Sequence, residues 1–384
     1  MTLPTANATP SSLITSERSA THDRRGSWIP TVGMIRTRIM ELRKRRGLMA
    51  ALIVVNIGIP AIFLLIRLIM HVVAPKSYGP AGGYDIFTGL SAGVMYVFGF
   101  IVAATLGCTA GSVDLTEGMF RHLVITGRSR LALYFARIPA GLAIIVPMVA
   151  VGFTIVCAVC VFAAPTTLHY DGVAVPSGLS LTGFESWAAQ HPTEAVCGMP
   201  YNGPLEGIGC RIDGNGKVVN QPGPPGLKKV SSTTLRAEAV KIAKQNYTDY
   251  SHTFLYPSNL LMVKTGLWIE LEAIIGFIVG LGLASLMGQR TVSVVLMIVL
   301  EIVLTPIFSH TAIRHLINVQ RGLVGLATAH LEPGGLPQAF GGGGGNGGVA
   351  SIVPETTTVA VIVIVAWLVG WTALGAWRMA RRDA

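Results

Sequence analysis

Three glutamates that lie within apolar stretches are the first candidates for chemistry in this sequence. Glu301 is central in the apolar run 291–309, and Glu270 and Glu272 lie in the run 261–287. A charged side chain at the centre of a bilayer costs about 3 kcal/mol on insertion scales, so it needs a reason to be there. We expect Glu301 to face the interior of a helix bundle, either as a polar tie between helices or in a substrate or proton pathway. We expect Glu270 and Glu272 to be solvated at the membrane interface.

The second group of candidates lies in AGSVDLTEGMFRHLVITGRSR, residues 110–130, a polar connection between two apolar runs. If 113–130 is a helix, four charged residues share one face: Asp114, Glu117, Arg121 and Arg128. Glu117 and Arg121 have the favourable i,i+4 orientation. DLTE resembles a helix start with Asp114 as the N-cap. The pattern predicts a capped amphipathic connector whose charged face is either solvated or held by a partner.

The cysteines and the glycine-rich stretches offer little further chemistry. Cys108, Cys157 and Cys160 lie in or beside apolar runs, where a thiol usually packs as a small hydrophobe. Cys197 and Cys210 lie in a long polar segment and could form a disulfide in an oxidising exterior, with two unpaired thiols as the alternative. The sequence has no GxxxxGK[ST] motif and no evident catalytic or metal cluster. We therefore expect no cofactor in this chain and no enzymatic activity of its own.

The composition indicates the environment in which these residues lie. Of the 384 residues, 51% are hydrophobic and only 12% are charged, whereas soluble domains carry about 25% charged residues. Six apolar runs are close to the length that spans a bilayer. They are 48–70, 84–107, 136–163, 261–287, 291–309 and 358–377. The sequence therefore predicts an all-α membrane protein with six transmembrane helices.

The distribution of basic residues predicts the orientation of these helices. The net charge is +10, and most Lys and Arg residues near the spans lie on the side that carries both termini. By the positive-inside rule, both termini are cytoplasmic and the protein is a multi-pass protein of the plasma membrane. The basic residues are not interleaved with aromatic ones that would stack on bases, so we expect membrane lipids rather than nucleic acid as their partners.

The predicted spans divide the chain into segments with distinct compositions. Segment 31–47 has Ile35, Ile39 and Leu42 on one stripe and a basic remainder, which is typical of an interfacial amphipathic helix. In GFIVGLG, we expect Gly276 and Gly280 to allow close helix packing. The predicted domains are a disordered cytoplasmic tail (1–30), the amphipathic helix (31–47), spans one to three with the helix 113–130 (48–163), a small extracytoplasmic insertion (164–257), spans four and five (258–309), an outer interfacial or re-entrant helix with a Gly-rich linker (310–356), and span six with a basic tail (357–384).

Together these features resemble the permease subunit of a type-two ABC exporter, of a bacterial style with an enlarged outer loop. The segment EGMFRHLVITGRSRLALYFAR is similar to the family's inner connection, and the matching positions are Gly118, Arg121, Ser129 and Arg130. The resemblance implies that helix 113–130 couples the spans to a separate ATP-binding subunit, which binds ATP and Mg²⁺. The coupling residues implied are Asp114, Glu117, Gly118, Arg121, Arg128 and Arg130.

The resemblance also implies a dimer with a second permease copy or a related chain. The implied activity is ATP-driven export of a lipid, a drug-like molecule, a peptide or a glycan. The alternative is a membrane-anchored sensor or enzyme that acts through its ectodomain at 164–257, with the helices serving only as an anchor.

Overall fold

The computed structural model describes most of the chain, and the statements below concern that part. It covers residues 28–74, 81–116, 129–165, 168–170, 173–199, 210–212, 218–220, 231–251, 254–309, 315–334, 336 and 355–381. The predicted tail 1–30 and the glycine run 341–348 lie almost wholly outside it.

The first part of the chain forms one short helix and three long apolar helices. Helix α1 is Val32–Lys44, within the segment predicted to be amphipathic. Helix α2 comprises Arg46–Ile53, a π-helical turn Val54–Gly58 and Ile59–Val73. Helix α3 comprises Tyr84–Thr88, a π-helical turn Gly89–Met95 and Tyr96–Thr116. Helix α4 covers Arg130–Phe162 with a turn at Ala136.

The insertion after α4 folds around a hydrophobic core of its own. Its elements are the antiparallel pair β1 (Leu168–Tyr170) and β2 (Val173–Val175), helices α5 (Leu181–Gln190) and α6 (Pro192–Gly198), the antiparallel pair β3 (Cys210–Ile212) and β4 (Val218–Asn220), and helix α7 (Ser232–Ser251). The ring of Phe184 on α5 stacks on that of Tyr250 on α7, with centroids 4.1 Å apart. The insertion is therefore a small packed domain within the described residues.

The last part of the chain returns to the bundle. Helix α8 is Asn259–Met287. Helix α9 comprises Arg290–Ile298, a π-helical turn Val299–Leu304 and Thr305–Ser309. Two short helices follow, α10 (Ile317–Arg321) and α11 (Val324–His330), before the long helix α12 (Thr357–Arg381).

Within the described residues, five helices are long and apolar enough to cross a membrane: α2, α3, α4, α8 and α12. The segment 291–309, predicted as a sixth span, is helical as α9 but does not belong to this group. The chain thus has the helices of a membrane-embedded protein, and the six-span topology stays a prediction.

Helices α3 and α8 form the centre of the bundle. Helix α8 is the most buried of the five, while α2 and α12 are the least buried. A Cβ atom on Gly276 would lie 3.0 Å from the carbonyl oxygen of Phe100, and one on Gly280 would lie 2.7 Å from that of Ala104. Because glycine lets two helix backbones approach closely, the packing role predicted for these two glycines is confirmed.

The two ends of the bundle carry different elements. The insertion end is the end where α4 leads into the insertion and where α3 and α8 begin. The basic end is the opposite one, where α1 lies and α3 ends.

Candidate functional site

A pair of carboxyl groups lies buried inside the bundle, and we call Glu272 and Glu301 the carboxylate pair. Glu272 on α8 is 1% exposed, and Glu301 in the π-helical turn of α9 is 2% exposed. Tyr96 on α3 is also buried, and its hydroxyl donates a hydrogen bond to Oε1 of Glu301 over 3.2 Å. Glu272 is in hydrogen-bonding contact with Tyr96 and with Thr328 of α11. Four helices therefore bring one polar group each to a single point.

Helix α11 closes over the pair at very short range. A Cβ atom on Gly325 would lie 2.7 Å from both carboxyl oxygens of Glu301, so only glycine allows the α11 backbone to rest there. The indole Nε1 of Trp268 donates to the carbonyl oxygen of Thr328 over 2.9 Å. The ring of Trp268 also stacks on that of Tyr96, with centroids 4.5 Å apart. The position of α11 thus depends on Trp268 and Glu301, which lie at the carboxylate pair themselves or stack on Tyr96 beside it.

The pair has no basic partner among the described residues. Neither carboxyl group makes an ion pair there, and Glu272 Oε1 and Glu301 Oε2 accept no hydrogen bond. A buried carboxylate without a counter-ion is costly, and such a group usually takes up a proton instead. We infer that the pair holds at least one proton in this arrangement.

A second cluster, the basic-end cluster, consists of Arg38, Asp114 and Arg137. The guanidinium of Arg38 on α1 binds both carboxylate oxygens of Asp114, with Nη1 2.8 Å from Oδ1. Arg137 on α4 donates from Nη2 to Oδ2 of Asp114 and from Nη1 to the carbonyl oxygen of Gly111 over 3.0 Å. The Nη1 atom of Arg38 also donates to Oε2 of Glu41 over 2.6 Å. The cluster therefore ties α1, α3 and α4 together where segment 117–128 leaves and re-enters the bundle.

The prediction that Asp114 is an N-cap on a charged outer face is wrong. Asp114 lies within α3, which continues to Thr116, and its side chain is 1% exposed. The reason is tertiary: two arginines from distant parts of the chain neutralise its charge, so the carboxylate can be buried.

The other predicted coupling residues are only partly within the described structure. Glu117, Gly118, Arg121 and Arg128 lie outside the described residues, so their roles stay predictions. Arg130 begins α4, and its Nη1 donates to the carbonyl oxygen of Ala380 on α12 over 3.3 Å.

The three predicted membrane glutamates have different environments. Glu301 is buried, as predicted. The prediction that Glu272 is solvated at the interface is wrong, because it faces the bundle core. Glu270 is half-buried, and its two carboxyl oxygens accept no hydrogen bond from the described residues. Two residues along a helix correspond to a rotation of about 200°, so Glu270 and Glu272 necessarily lie on opposite faces.

The described cysteines are consistent with the predictions, which gave free thiols in the apolar runs and a disulfide in the insertion. Cys197 is disulfide-bonded, while Cys108, Cys157 and Cys160 are free thiols. Helix α6, which carries Cys197, packs against strand β3, which begins at Cys210. The side chain of Cys210 lies outside the described part, so its pairing with Cys197 stays a prediction.

A cavity of about 630 Å³ opens at the insertion end. It is lined by the first turns of α8, by the residues after α11 and by the start of α12, and its polar groups include Lys264, His330 and Glu332. Trp268 lines this cavity and also stacks on Tyr96, so a single side chain connects the cavity wall with the carboxylate pair.

The stability of the protein is expected to fall as pH rises because of Glu332. Burial raises the pKa of Glu332 to about 8, above its value of about 4.3 in an unfolded chain. The folded state therefore binds more protons between these values, and its stability declines as pH rises through them. Thermal unfolding in detergent at about pH 5 and about pH 9 measures this decline, and Glu332→Gln should reduce it. An equal decline in Glu332→Gln would assign the effect to another group.

Several residues of the two clusters were not singled out from the sequence. Arg38 lies on the same stripe as Ile35 and Leu42, and a charge on the buried stripe of an amphipathic helix is a signal for a buried partner. Arg137 precedes a long apolar run but is indistinguishable there from a flanking cytoplasmic arginine. Tyr96 and Thr328 carry no local signal, because their role depends on contacts between distant helices.

Among the described residues, no group of three or more His, Cys, Asp or Glu side chains is placed to hold a metal ion. No protein-family model, no curated protein and no solved structure matches the chain. The functional proposals below therefore rest on the geometry of the two clusters and on the sequence pattern.

Proposed function

We propose that this chain is the permease subunit of an ATP-driven transporter of the type-two ABC exporter kind. Its cargo is a lipid, a drug-like molecule, a peptide or a glycan. ATP and Mg²⁺ are bound, and ATP is hydrolysed, in a separate subunit that docks at the basic end. The chain pairs with a second permease copy or a related chain, and both of its termini are cytoplasmic.

The basic-end cluster is the observation that carries this proposal. Segment 117–128, which contains most of the predicted docking face, leaves from α3 and returns at α4. Asp114 joins those two helices to each other and to α1 through Arg137 and Arg38. A buried cluster of this kind resists separation, because moving Asp114 away from its partners would leave the buried guanidinium group of Arg137 without its counter-charge. A force applied to the segment would therefore move three helices as one body, as coupling to an ATPase requires.

Reversing the charges of the docking face should uncouple the transporter. In the variant Glu117→Arg with Arg121→Glu, the i,i+4 pair is retained but its sign pattern is inverted, so a complementary partner surface is repelled. We expect the amount of co-purified ATPase subunit to fall about tenfold, which corresponds to about 1.4 kcal/mol. The measurement is affinity purification of the tagged chain from membranes of its own host, followed by the amount of any co-purified protein with an ATP-binding motif and the ATPase rate of the complex.

The control for this variant inverts a charge pair on α7 of the insertion, in which Lys241 is exposed and Glu238 is half-buried. Glu238 and Lys241 on α7 are 3.7 Å apart, and Glu238→Arg with Lys241→Glu should leave co-purification unchanged. Normal co-purification and normal ATPase stimulation in the Glu117 and Arg121 variant would refute the coupling assignment.

A second candidate function is a sensor or enzyme that acts through the insertion. The observation in its favour is the aromatic core of that domain, in which Phe184 stacks on both Trp187 and Tyr250. On this alternative, the charge inversion at Glu117 and Arg121 has no effect on activity, whereas removal of the insertion abolishes it. The two variants measured together therefore separate the two candidates.

A further inference from the structure

We propose that the carboxylate pair is a proton-binding site that exchanges its proton with water at the insertion end of the bundle. The ligand is a single proton. The inference goes beyond the proposed function, since ATP-driven export requires no titratable group inside the membrane. It rests on the bundle geometry alone and needs no ATPase partner.

The hydrogen bonds around Tyr96 place the proton. A phenol has one hydrogen to donate, and Tyr96 donates it to Oε1 of Glu301. The same hydroxyl group contacts Glu272. One phenol hydrogen can serve only one of the two carboxyl groups, so a second hydrogen bond at the phenol oxygen requires a proton on the other carboxyl group. The geometry therefore gives a pair that shares one proton across a bridging Tyr96.

The groups that face the pair leave it without a counter-ion. They come from every helix packed around it: Tyr96 of α3, Trp268 of α8, Thr305 of α9, and Gly325 and Thr328 of α11. Tyr96 is titratable, and none of these residues is basic. Two ionised carboxylates would therefore repel each other with no neighbouring cation, and one proton removes that repulsion.

Buried hydroxyls mark a polar route from the pair towards the insertion end. Ser91 and Thr265 are fully buried, and neither hydroxyl has a hydrogen-bond partner among the described residues. Thr265 precedes Glu272 by seven residues, which puts both on one face of α8 about 10 Å apart along its axis. Ser91 lies one π-helical turn before Tyr96 on α3. Since α3 and α8 both begin at the insertion end, the two hydroxyls lie between that end and the pair.

The residues next to the pair on the side that faces the basic end are apolar. Phe100 follows Tyr96 by one turn, Val279 follows Glu272 by two turns, and Met297 precedes Glu301 by one turn on α9. These three residues are buried and belong to one hydrophobic cluster. Their side chains offer no group for proton transfer, and the buried hydroxyl of Ser293 beyond them is already bonded to the carbonyl oxygen of Gln289, so the route through Ser91 and Thr265 is favoured.

The exchange itself changes only O–H bonds. Loading transfers one proton from water at the insertion end to a carboxylate oxygen of the pair, and release returns it to water. When the proton is absent, the two carboxylates repel beneath Gly325, which rests on Glu301. Loss of the proton should therefore weaken the packing of α11 against Glu301.

Infrared spectroscopy of the full chain in phosphatidylcholine nanodiscs tests the site. All proteins carry Glu332→Gln, because the protonated carboxyl group of Glu332 would absorb in the same region. In this background the chain should show the carbonyl band of a protonated buried carboxyl group, and the band should decrease as the pH is raised. The component of the pair should be lost in Glu272→Gln with Glu301→Gln, whereas the control Glu270→Gln, two residues away from Glu272 on the opposite face, should keep it. An unchanged band in the Glu272 and Glu301 double variant, or loss of that component in Glu270→Gln, overturns the assignment.

Hydrogen exchange of α11 supplies an independent readout in the same nanodiscs. The protection factors of the amides in 324–330, which are corrected for the intrinsic pH dependence of exchange, should fall about tenfold with the loss of the proton in the wild type. In Glu301→Gln, where the repulsion is removed, these protection factors should not change with pH. A fall of the same size in Glu301→Gln contradicts the proposal.

The route is tested with variants that keep both carboxyl groups. In Ser91→Ala with Thr265→Val, the carboxyl band should keep its size, but its shift on transfer to deuterated water should slow about tenfold, because the hydroxyl groups are removed from the route. The control Ser293→Ala removes a buried hydroxyl on the basic-end side, which donates to the carbonyl oxygen of Gln289. Slowing in Ser293→Ala, or no slowing in the double variant, refutes the route through the insertion end.

Discussion

Replacing Asp114 with alanine is expected to destabilise the folded protein by about 3–5 kcal/mol. The substitution leaves the buried guanidinium group of Arg137 without its carboxylate partner, beside Arg38, which keeps only Glu41 as a counter-charge. Arg137 is 2% exposed, so water cannot take over the role of the carboxylate. The measurement is thermal unfolding of the detergent-solubilised protein by circular dichroism, together with the fraction that elutes as folded protein.

Two further variants test whether the loss of stability comes from the arginines of the basic-end cluster that lose Asp114. Lys241→Gln breaks the 3.7 Å ion pair with Glu238 and should cost less than about 1 kcal/mol, because Lys241 is exposed and its charge is screened by water. Adding Arg137→Met to Asp114→Ala should restore part of the loss, since it removes one of the stranded cations. If Asp114→Ala is no more destabilising than Lys241→Gln, the basic-end cluster does not hold α1, α3 and α4 together.

Gly107→Val is expected to separate the two central helices and to abolish most of the folded protein. A Cβ atom on Gly107 would overlap the backbone carbonyl of Phe277 on α8. Overpacking of a core usually costs about 1–3 kcal/mol when side chains can move, and here the obstacle is backbone, so we expect a cost above that range. The amount of monodisperse protein after detergent extraction and its thermal unfolding temperature measure the effect.

The matched control is Gly99→Ala, which lies two turns earlier on the same helix. The nearest atom to a Cβ there is Oδ1 of Asn56 at 4.0 Å, so the added methyl group has room. We expect a neutral or slightly stabilising effect, because alanine favours the helix over glycine. Equal losses in the two variants would mean that the α3 and α8 contact does not depend on glycine.

The features that the sequence predicted correctly depend on local composition. An apolar run long enough to span a bilayer is a property of about 20 consecutive residues, and five predicted runs correspond to α2, α3, α4, α8 and α12. The spacing of Gly276 and Gly280 puts both on one helix face, so their packing role follows from periodicity. The burial of Glu301 follows in the same way from its central position in an apolar run.

The features that the sequence could not predict depend on partners that are distant in the chain. The polar segment 110–130 suggested that Asp114 begins a helix and faces outward, but Arg38 and Arg137 bring it inside α3 and pair its charge. Glu272 lies close enough to the helix end to suggest solvation, yet α3, α9 and α11 enclose it beside Glu301.

The sequence alone therefore determined that the chain is helical, apolar and suited to a membrane, because those properties depend on composition and period. Tertiary structure alone decided which charges are paired and which carboxyl groups share a site. The physical reason is that the cost of burying a charge depends on the group that faces it. In this chain that group comes from a helix between 23 and 205 residues away, as in the contacts of Arg137 with Asp114 and of Tyr96 with Glu301.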